Sequence, residues 1–281
     1  MKILVTGAGG QLGQELIRYP ACADLEFLGL TREEMDVTLF EAVREKIRAL
    51  RPDVVIHAAA YTKVDLAESR PEDAYRVNAL GTRNVALAAE EVGAKVCYIS
   101  TDYVFDGQTD RPYHEYDNTN PLSVYGKSKR AGEILVQGFS SRWFIVRTSW
   151  VYGPYGPNFV KTILAKAKAG EPLRVVADQH GSPTYTNDLA RFLIELVRTE
   201  EYGIYHATNQ GQCSWYEFAC AILEEAGVPA SIEPCTTDTF PRPAPRPRFS
   251  VLGQTMLRAA GFTPLRPWRD ALRAFLCELE E

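Results

Sequence analysis

No apolar run in the chain approaches the roughly 20 residues that a helix needs to cross a bilayer, so the sequence offers no membrane span. Positive charge is in short supply as well. There are 31 Lys and Arg against 36 Asp and Glu, a formal net charge of −5, and this balance argues against non-specific nucleic-acid binding. Close cysteine pairs are missing: Cys22, Cys97, Cys213, Cys220, Cys235 and Cys277 are scattered with no CxxC spacing. They read as reduced thiols of a cytoplasmic protein, not as a disulfide framework. The four histidines show no ligand spacing, so no structural zinc site is expected. The stretch Met1-Lys-Ile-Leu-Val-Thr-Gly7 is too short and too soon interrupted by glycine for a signal peptide, and it reads as a first strand.

What is present is a rhythm. Short apolar segments at 3–6, 25–30, 54–57, 96–100 and 144–147 alternate with helical patterns at 11–18, 39–50, 72–92 and 123–137. Strands that are apolar without alternation are buried on both faces, as in a parallel sheet covered by helices. The repetition predicts an α/β, Rossmann-like, doubly wound parallel sheet. After residue 150 the pattern loosens. Helices are expected at 159–169, 188–198 and 215–226, and strands at 173–177 and 203–206, the latter extending the main sheet. The proline-rich run 241–247 excludes helix and central strand and predicts an extended segment crossing the surface. The expected division is a core of residues 1–150, completed by about 185–208, and a smaller C-terminal lobe of 151–184 and 209–281.

The run Gly7-Ala-Gly-Gly10-Gln11-Leu12-Gly13 sits between the first strand and the first helix. In that context it is a dinucleotide-binding loop. Gly7 makes the tight turn, Gly10 lets the backbone approach a pyrophosphate, and Gly13 lets helix and strand pack closely. The helix N-terminus presents amides and a positive dipole end to the phosphates. The acid that usually reads a ribose 2′-hydroxyl is missing from the second strand end, Phe27-Leu-Gly29-Leu-Thr-Arg32. Arg32 either meets a 2′-phosphate, which favours NADPH over NADH, or merely solvates the strand end. Asp36 and Val37 line the adenine pocket, unless Asp36 is the N-cap of the next helix. The small residues Ala58, Ala59 and Ala60 after His57 leave room for a cofactor across the sheet edge.

Further on, Thr101 ends a strand, and Tyr125 and Lys129, at i and i+4, share one face of a helix. A phenol beside an ammonium and a small hydroxyl can hand a proton to a carbonyl oxygen. The ammonium and a cationic nicotinamide are expected to lower the phenol pKa from its usual value near 10. Lys129 also suits the ribose hydroxyls of the cofactor, and Thr101 suits the substrate carbonyl. Together these features predict a nicotinamide-dependent reductase.

The chain resembles the extended short-chain dehydrogenase/reductase superfamily nearly end to end. Within it, the likeness is to the branch that reduces the C4 ketone of dTDP-linked 4-keto-6-deoxy sugars. The segments that carry this are Gly10–Gly13, Ala58-Ala-Ala-Tyr61-Thr-Lys-Val-Asp-Leu-Ala-Glu68, Ser100-Thr-Asp-Tyr-Val-Phe-Asp-Gly107, Pro121-Leu-Ser-Val-Tyr-Gly-Lys-Ser-Lys129, Arg147-Thr-Ser-Trp-Val-Tyr-Gly153, Asn158-Phe159, Asp178–Thr184 and Arg246-Pro-Arg-Phe-Ser250. The resemblance implies that Thr101, Tyr125 and Lys129 are catalytic and that Tyr61 and Asn78 belong with the cofactor residues. It also implies that Thr101, Asp102, Trp150, Asn158, Phe159 and Arg246 surround a dTDP-sugar. A homodimer is implied in the same way. Some members are bridged by a metal held by glutamates. Glu15 and Glu278 match two of these, but Tyr185-Thr-Asn-Asp188 does not supply the third, so no metal is expected. The chain is also similar to a non-catalytic NADP-binding regulatory subunit, the β subunit of methionine adenosyltransferase; Thr101 and Trp150 favour the reductase.

Overall fold

The computed structural model describes residues 1–20 and 23–280; Cys22 lies outside them. Strands β1 (Lys2–Thr6), β2 (Glu26–Leu30), β3 (Val54–His57), β4 (Lys95–Thr101) and β5 (Trp143–Thr148) join Gly203–His206 in one six-stranded sheet. Every neighbouring pair is parallel, in the order β2-β1-β3-β4-β5 followed by Gly203–His206. The chain winds one way from β1 to β2 and the other way from β3 onward. The switch point therefore lies between the carboxyl ends of β1 and β3, where such sheets open a crevice.

The strand sequences explain the layering. Ile3, Leu4 and Val5 are all fully buried because both faces of the sheet are covered. Ile3 and Val5 pack with Leu12, Leu16, Leu189 and Leu193, from α1 (Gln11–Ile17) and the helix Thr186–Val197. Leu4 faces the other way, onto Val43, Ile47, Val85 and Val136 from α2 (Phe40–Leu50) and the helices Thr82–Val92 and Val124–Phe139. A separate apolar cluster gathers Tyr152, Val160, Ile163, Phe218, Ile222, Leu272 and Phe275 from elements after β5. One of these elements, the helix Trp268–Glu280, was not read from the sequence.

One expected element is different. The helix expected over 72–92 is three pieces: Pro71–Tyr75, a π-helical turn Arg76–Gly81, and Thr82–Val92. A π turn inserts an extra residue and is common at functional sites. Asn78 lies in this turn and is fully buried. The proline-rich run is extended, as expected, and it is tied down. Ala244 is buried, and Arg246 grips Asp65 through two bonds of 3.0 and 3.1 Å. Among the described residues no helix is long and apolar enough to cross a membrane, and Cys97, Cys213, Cys220, Cys235 and Cys277 are free thiols.

Candidate active site

A cleft of about 720 Å³ opens along the carboxyl ends of the strands. Its walls bring together most of the residues singled out in the sequence: Gly7, Gly10, Gln11, Leu12, Gly13, Arg32, Asp36, Val37, Ala58, Ala59, Ala60, Tyr61, Thr101, Asp102, Tyr125, Lys129 and Trp150. Asn78, Asn158, Phe159 and Arg246 do not line it.

The glycine loop is dictated by space. Gly7 has φ +68°, and a Cβ there would lie 2.7 Å from the backbone of Ala59. A Cβ on Gly13 would lie 2.2 Å from the Gly7 carbonyl oxygen, so α1 reaches β1 only through glycine. At Gly10, the N-cap of α1, an added Cβ would meet only Gly7 O within 4 Å, and no side chain caps the helix. That leaves an open approach to the first-turn amides, which have no partner within the helix. The loop thus fits a dinucleotide pyrophosphate.

At the far end, Arg32 is 77% exposed and stands 3.8 Å from Asp36. An ion pair that exposed is weak, and the guanidinium is available to a ligand. Asp36 accepts from the amide and hydroxyl of Thr38, at 2.9 and 2.8 Å. It does not cap α2, whose N-cap is Leu39. Gly29 has no room for an acid, because its Cβ would fall 2.8 Å from Ile17 and 2.9 Å from Ala8.

At the other end, Ser123 caps the helix Val124–Phe139 by accepting from the Gly126 amide at 3.1 Å. A Cβ on Gly126 would lie 2.2 Å from Tyr103 O, so this glycine lets the helix close on the turn after β4. Lys129 is buried. Its Nζ donates to Ile99 O at 2.6 Å and sits 4.0 Å from the centre of the Tyr98 ring. The Thr101 hydroxyl donates to Asp102 Oδ1 at 3.0 Å and accepts from the Tyr103 amide at 3.2 Å.

The electrostatics correct one expectation. Burial pushes Tyr125 up to about 12, with Thr101 opposing the rise and Asp102 adding to it; the expected fall does not occur in the ligand-free protein. The Lys129 amine is committed to Ile99 O and the Tyr98 face, and burial brings it down to about 7 against the pull of Glu133. Burial also raises Asp102 to about 6. Three buried polar atoms lining the cleft have no partner: Tyr61 Oη, Asp102 Oδ2 and Thr148 Oγ1. Such groups are costly unless a ligand satisfies them.

Four of the expected site residues lie off the cavity lining. Asn78 faces the wall: it accepts from Tyr61 N at 2.7 Å and donates to Tyr61 O and Ser128 Oγ at 3.1 and 3.0 Å. Ser128 in turn donates to Tyr125 O at 2.7 Å, so Asn78 braces the Tyr61 segment against the helix that carries Tyr125. Asn158 caps the helix Phe159–Lys168 and donates to Gly153 O and Gln11 Oε1 at 2.8 and 3.2 Å. Phe159 packs on Trp215 and Phe218, with ring centres 4.5 and 5.7 Å away. Arg246 is held by Asp65 outside the cavity lining.

Trp150 has φ +49°, unusual for a bulky residue, and lies 3.6 Å from Trp215 in a parallel stack. Gly181 leaves the space for it, since a Cβ there would meet the indole at 2.6 Å. Trp215, Thr148, Ser149, Tyr103, Gly156 and Pro157 line the cleft and were not selected from the sequence. Thr148 ends β5 and Ser149 follows it, so the strand-end rule points to both; Trp215 carries no local signal. Glu15 is occupied by Thr186 and Asn187, at 2.8 and 3.0 Å, and Glu278 by the Tyr185 hydroxyl.

Over residues 1–281 the sequence matches the family described as the RmlD substrate binding domain. It is 47% identical to the spore coat polysaccharide biosynthesis protein SpsK of Bacillus subtilis, over 99% of this chain and 97% of that one. It is 45% identical to a dTDP-4-dehydrorhamnose reductase of Mycolicibacterium smegmatis, over 97% of this chain and 84% of that one. A crystal structure of dTDP-4-dehydrorhamnose reductase from Bacillus anthracis in complex with NADP superposes with a TM-score of 0.97 at 44% identity, covering 99% of both chains.

Proposed function

The chain belongs to the RmlD substrate binding domain family, and from that premise we propose that it reduces the C4 ketone of dTDP-4-dehydro-L-rhamnose to give dTDP-L-rhamnose, using NADPH or NADH. The observation that carries this reading is one continuous cleft with the glycine loop at one end and Thr101, Tyr125 and Lys129 at the other. A bound nicotinamide supplies the hydride. The residues do the rest. Gly7, Gly10 and Gly13 shape the seat of the pyrophosphate, and Ala58, Ala59 and Ala60 leave room along the sheet edge. Tyr125 is protonated at neutral pH, as a donor to the new C4 oxygen must be. Thr101 turns its hydroxyl from Asp102 to the same oxygen. Lys129 titrates near neutrality; charged, it stabilises the phenolate left on Tyr125 and holds the ribose. Asp102, Tyr61 and Thr148 offer their unpartnered atoms to the ligands. Residues 1–150 with 185–208 form the cofactor unit, and 151–184 with 209–281 the substrate lobe. A non-catalytic regulatory role is not favoured, since the relatives that match end to end include several reductases.

The test is NADPH and NADH oxidation with dTDP-4-dehydro-L-rhamnose made in situ. Formation of dTDP-L-rhamnose is expected; tight dinucleotide binding with no turnover of this sugar would refute the reading. Arg32→Ala is expected to raise the KM for NADPH about tenfold, the worth of a charged hydrogen bond, and to leave that for NADH nearly unchanged. Equal effects in initial-rate measurements would remove Arg32 from 2′-phosphate recognition.

A further inference from the structure

Tyr125, Lys129 and Glu133 recur every four residues on the helix Val124–Phe139, so they form one stripe. The first two reach the cleft. The third is fully buried and meets four donor groups. Ser100 Oγ donates to Glu133 Oε1 at 2.6 Å. Arg147 grips both oxygens, Nε to Oε1 and NH2 to Oε2, each at 2.9 Å. Arg130 adds a bond to Oε2 at 3.2 Å. Arg147 is itself buried and also reaches Glu115 O and His206, at 3.4 and 3.3 Å.

The partners' positions in the chain give this network its meaning. Ser100 precedes Thr101 on β4, Arg147 precedes Thr148 on β5, and Glu133 lies one turn beyond Lys129. One carboxylate therefore ties together the three elements whose ends carry the proposed chemistry. A buried carboxylate of this kind is stable only when fully paired, and pairing of this quality fixes the helix against both strands. The groups facing the Lys129 amine are the Tyr98 ring on β4, His57 on β3 and Glu133 on its own helix. Asp102 bears on Tyr125, at the mouth of the same site. His57 is held neutral by burial and by Lys129, so Glu133 is the anion that favours a charged Lys129.

We propose that Glu133 is a positioning residue of the reduction: clamped by Ser100, Arg147 and Arg130, it sets the helix that presents Tyr125 and Lys129, and its carboxylate favours the charged form of Lys129. This rests on the reductase reading above and adds to it a residue outside the cleft.

The test compares wild type, Glu133→Gln and Glu133→Asp. Lys129 is titrated by NMR of the 13Cε-lysine-labelled, ligand-free protein, its resonance assigned with Lys129→Arg, and kcat is measured against pH. In Glu133→Gln, which keeps an acceptor and loses the charge, the Lys129 midpoint falls by about one unit. The basic limb of kcat moves down with it. Glu133→Asp keeps the charge and shortens the reach, so the limb stays at the wild-type pH while kcat drops. A Gln variant with the wild-type Lys129 midpoint would overturn the charge role. An Asp variant with wild-type kcat would overturn the positioning role, and it serves alone if the Gln variant does not fold. A shifted midpoint in a protein that never turns over the sugar would leave the charge role standing and refute the reductase reading instead.

Discussion

Tyr125→Phe is expected to lower kcat about a thousandfold, within the range a positioned general acid contributes, while leaving dinucleotide affinity within about twofold of wild type. The argument is one of atoms. The phenol lines the cleft together with Thr101, and burial of its hydroxyl raises its pKa to about 12. At neutral pH it holds its proton until an oxyanion develops within reach. Phenylalanine keeps the ring and removes only the hydroxyl, so the packing of Tyr103, edge-on at 5.6 Å, is kept. The raised value also fixes the sign of the pH dependence. The phenol stays protonated across the physiological range, so loss of rate near pH 7–8 follows deprotonation of Lys129, which titrates at about 7 in the ligand-free protein; the anionic ligands move that limb upward. Single-turnover rates with saturating NADPH, beside fluorescence titration of the cofactor, separate the two quantities. A Phe variant with wild-type turnover would remove Tyr125 as the donor.

The second large effect is on stability. Arg147→Met is expected to cost about 3–5 kcal/mol, because it strands the Glu133 carboxylate, wholly buried, without its bidentate partner. Urea unfolding reads this as a lower midpoint at unchanged slope. The double variant Arg147→Met/Glu133→Leu is expected to recover much of the loss, since an apolar pair can replace a buried ion pair. A loss below about 1 kcal/mol in the single variant would place the pair with ordinary surface ion pairs.

Local patterns made part of this site legible before any coordinates. Gly7, Gly13, Tyr125 and Lys129 act through backbone conformation or helical spacing, and both follow from neighbouring residues. Contacts between distant segments were not legible. Arg246 meets Asp65 across 181 residues, so a guanidinium expected in the cleft is found on a carboxylate beside it. Trp150 stacks on Trp215, which no short motif joins to it. Asn78 lies in a π turn that interrupts an otherwise regular helical pattern, and hydrophobic periodicity does not encode that extra residue. The phenol pKa in the ligand-free protein is set by burial, which helical spacing does not encode. Lys129 Nζ donates to Ile99 O, a contact between helix and strand that no local motif encodes.

The most direct test of the central claim is isotope transfer from NADPH deuterated at both C4 positions of the nicotinamide, with dTDP-4-dehydro-L-rhamnose as acceptor and the product read by NMR and mass spectrometry. A single deuterium at C4 of dTDP-L-rhamnose is the expected result. Cofactor consumed with deuterium at another carbon, or no transfer while the dinucleotide remains bound, would contradict it.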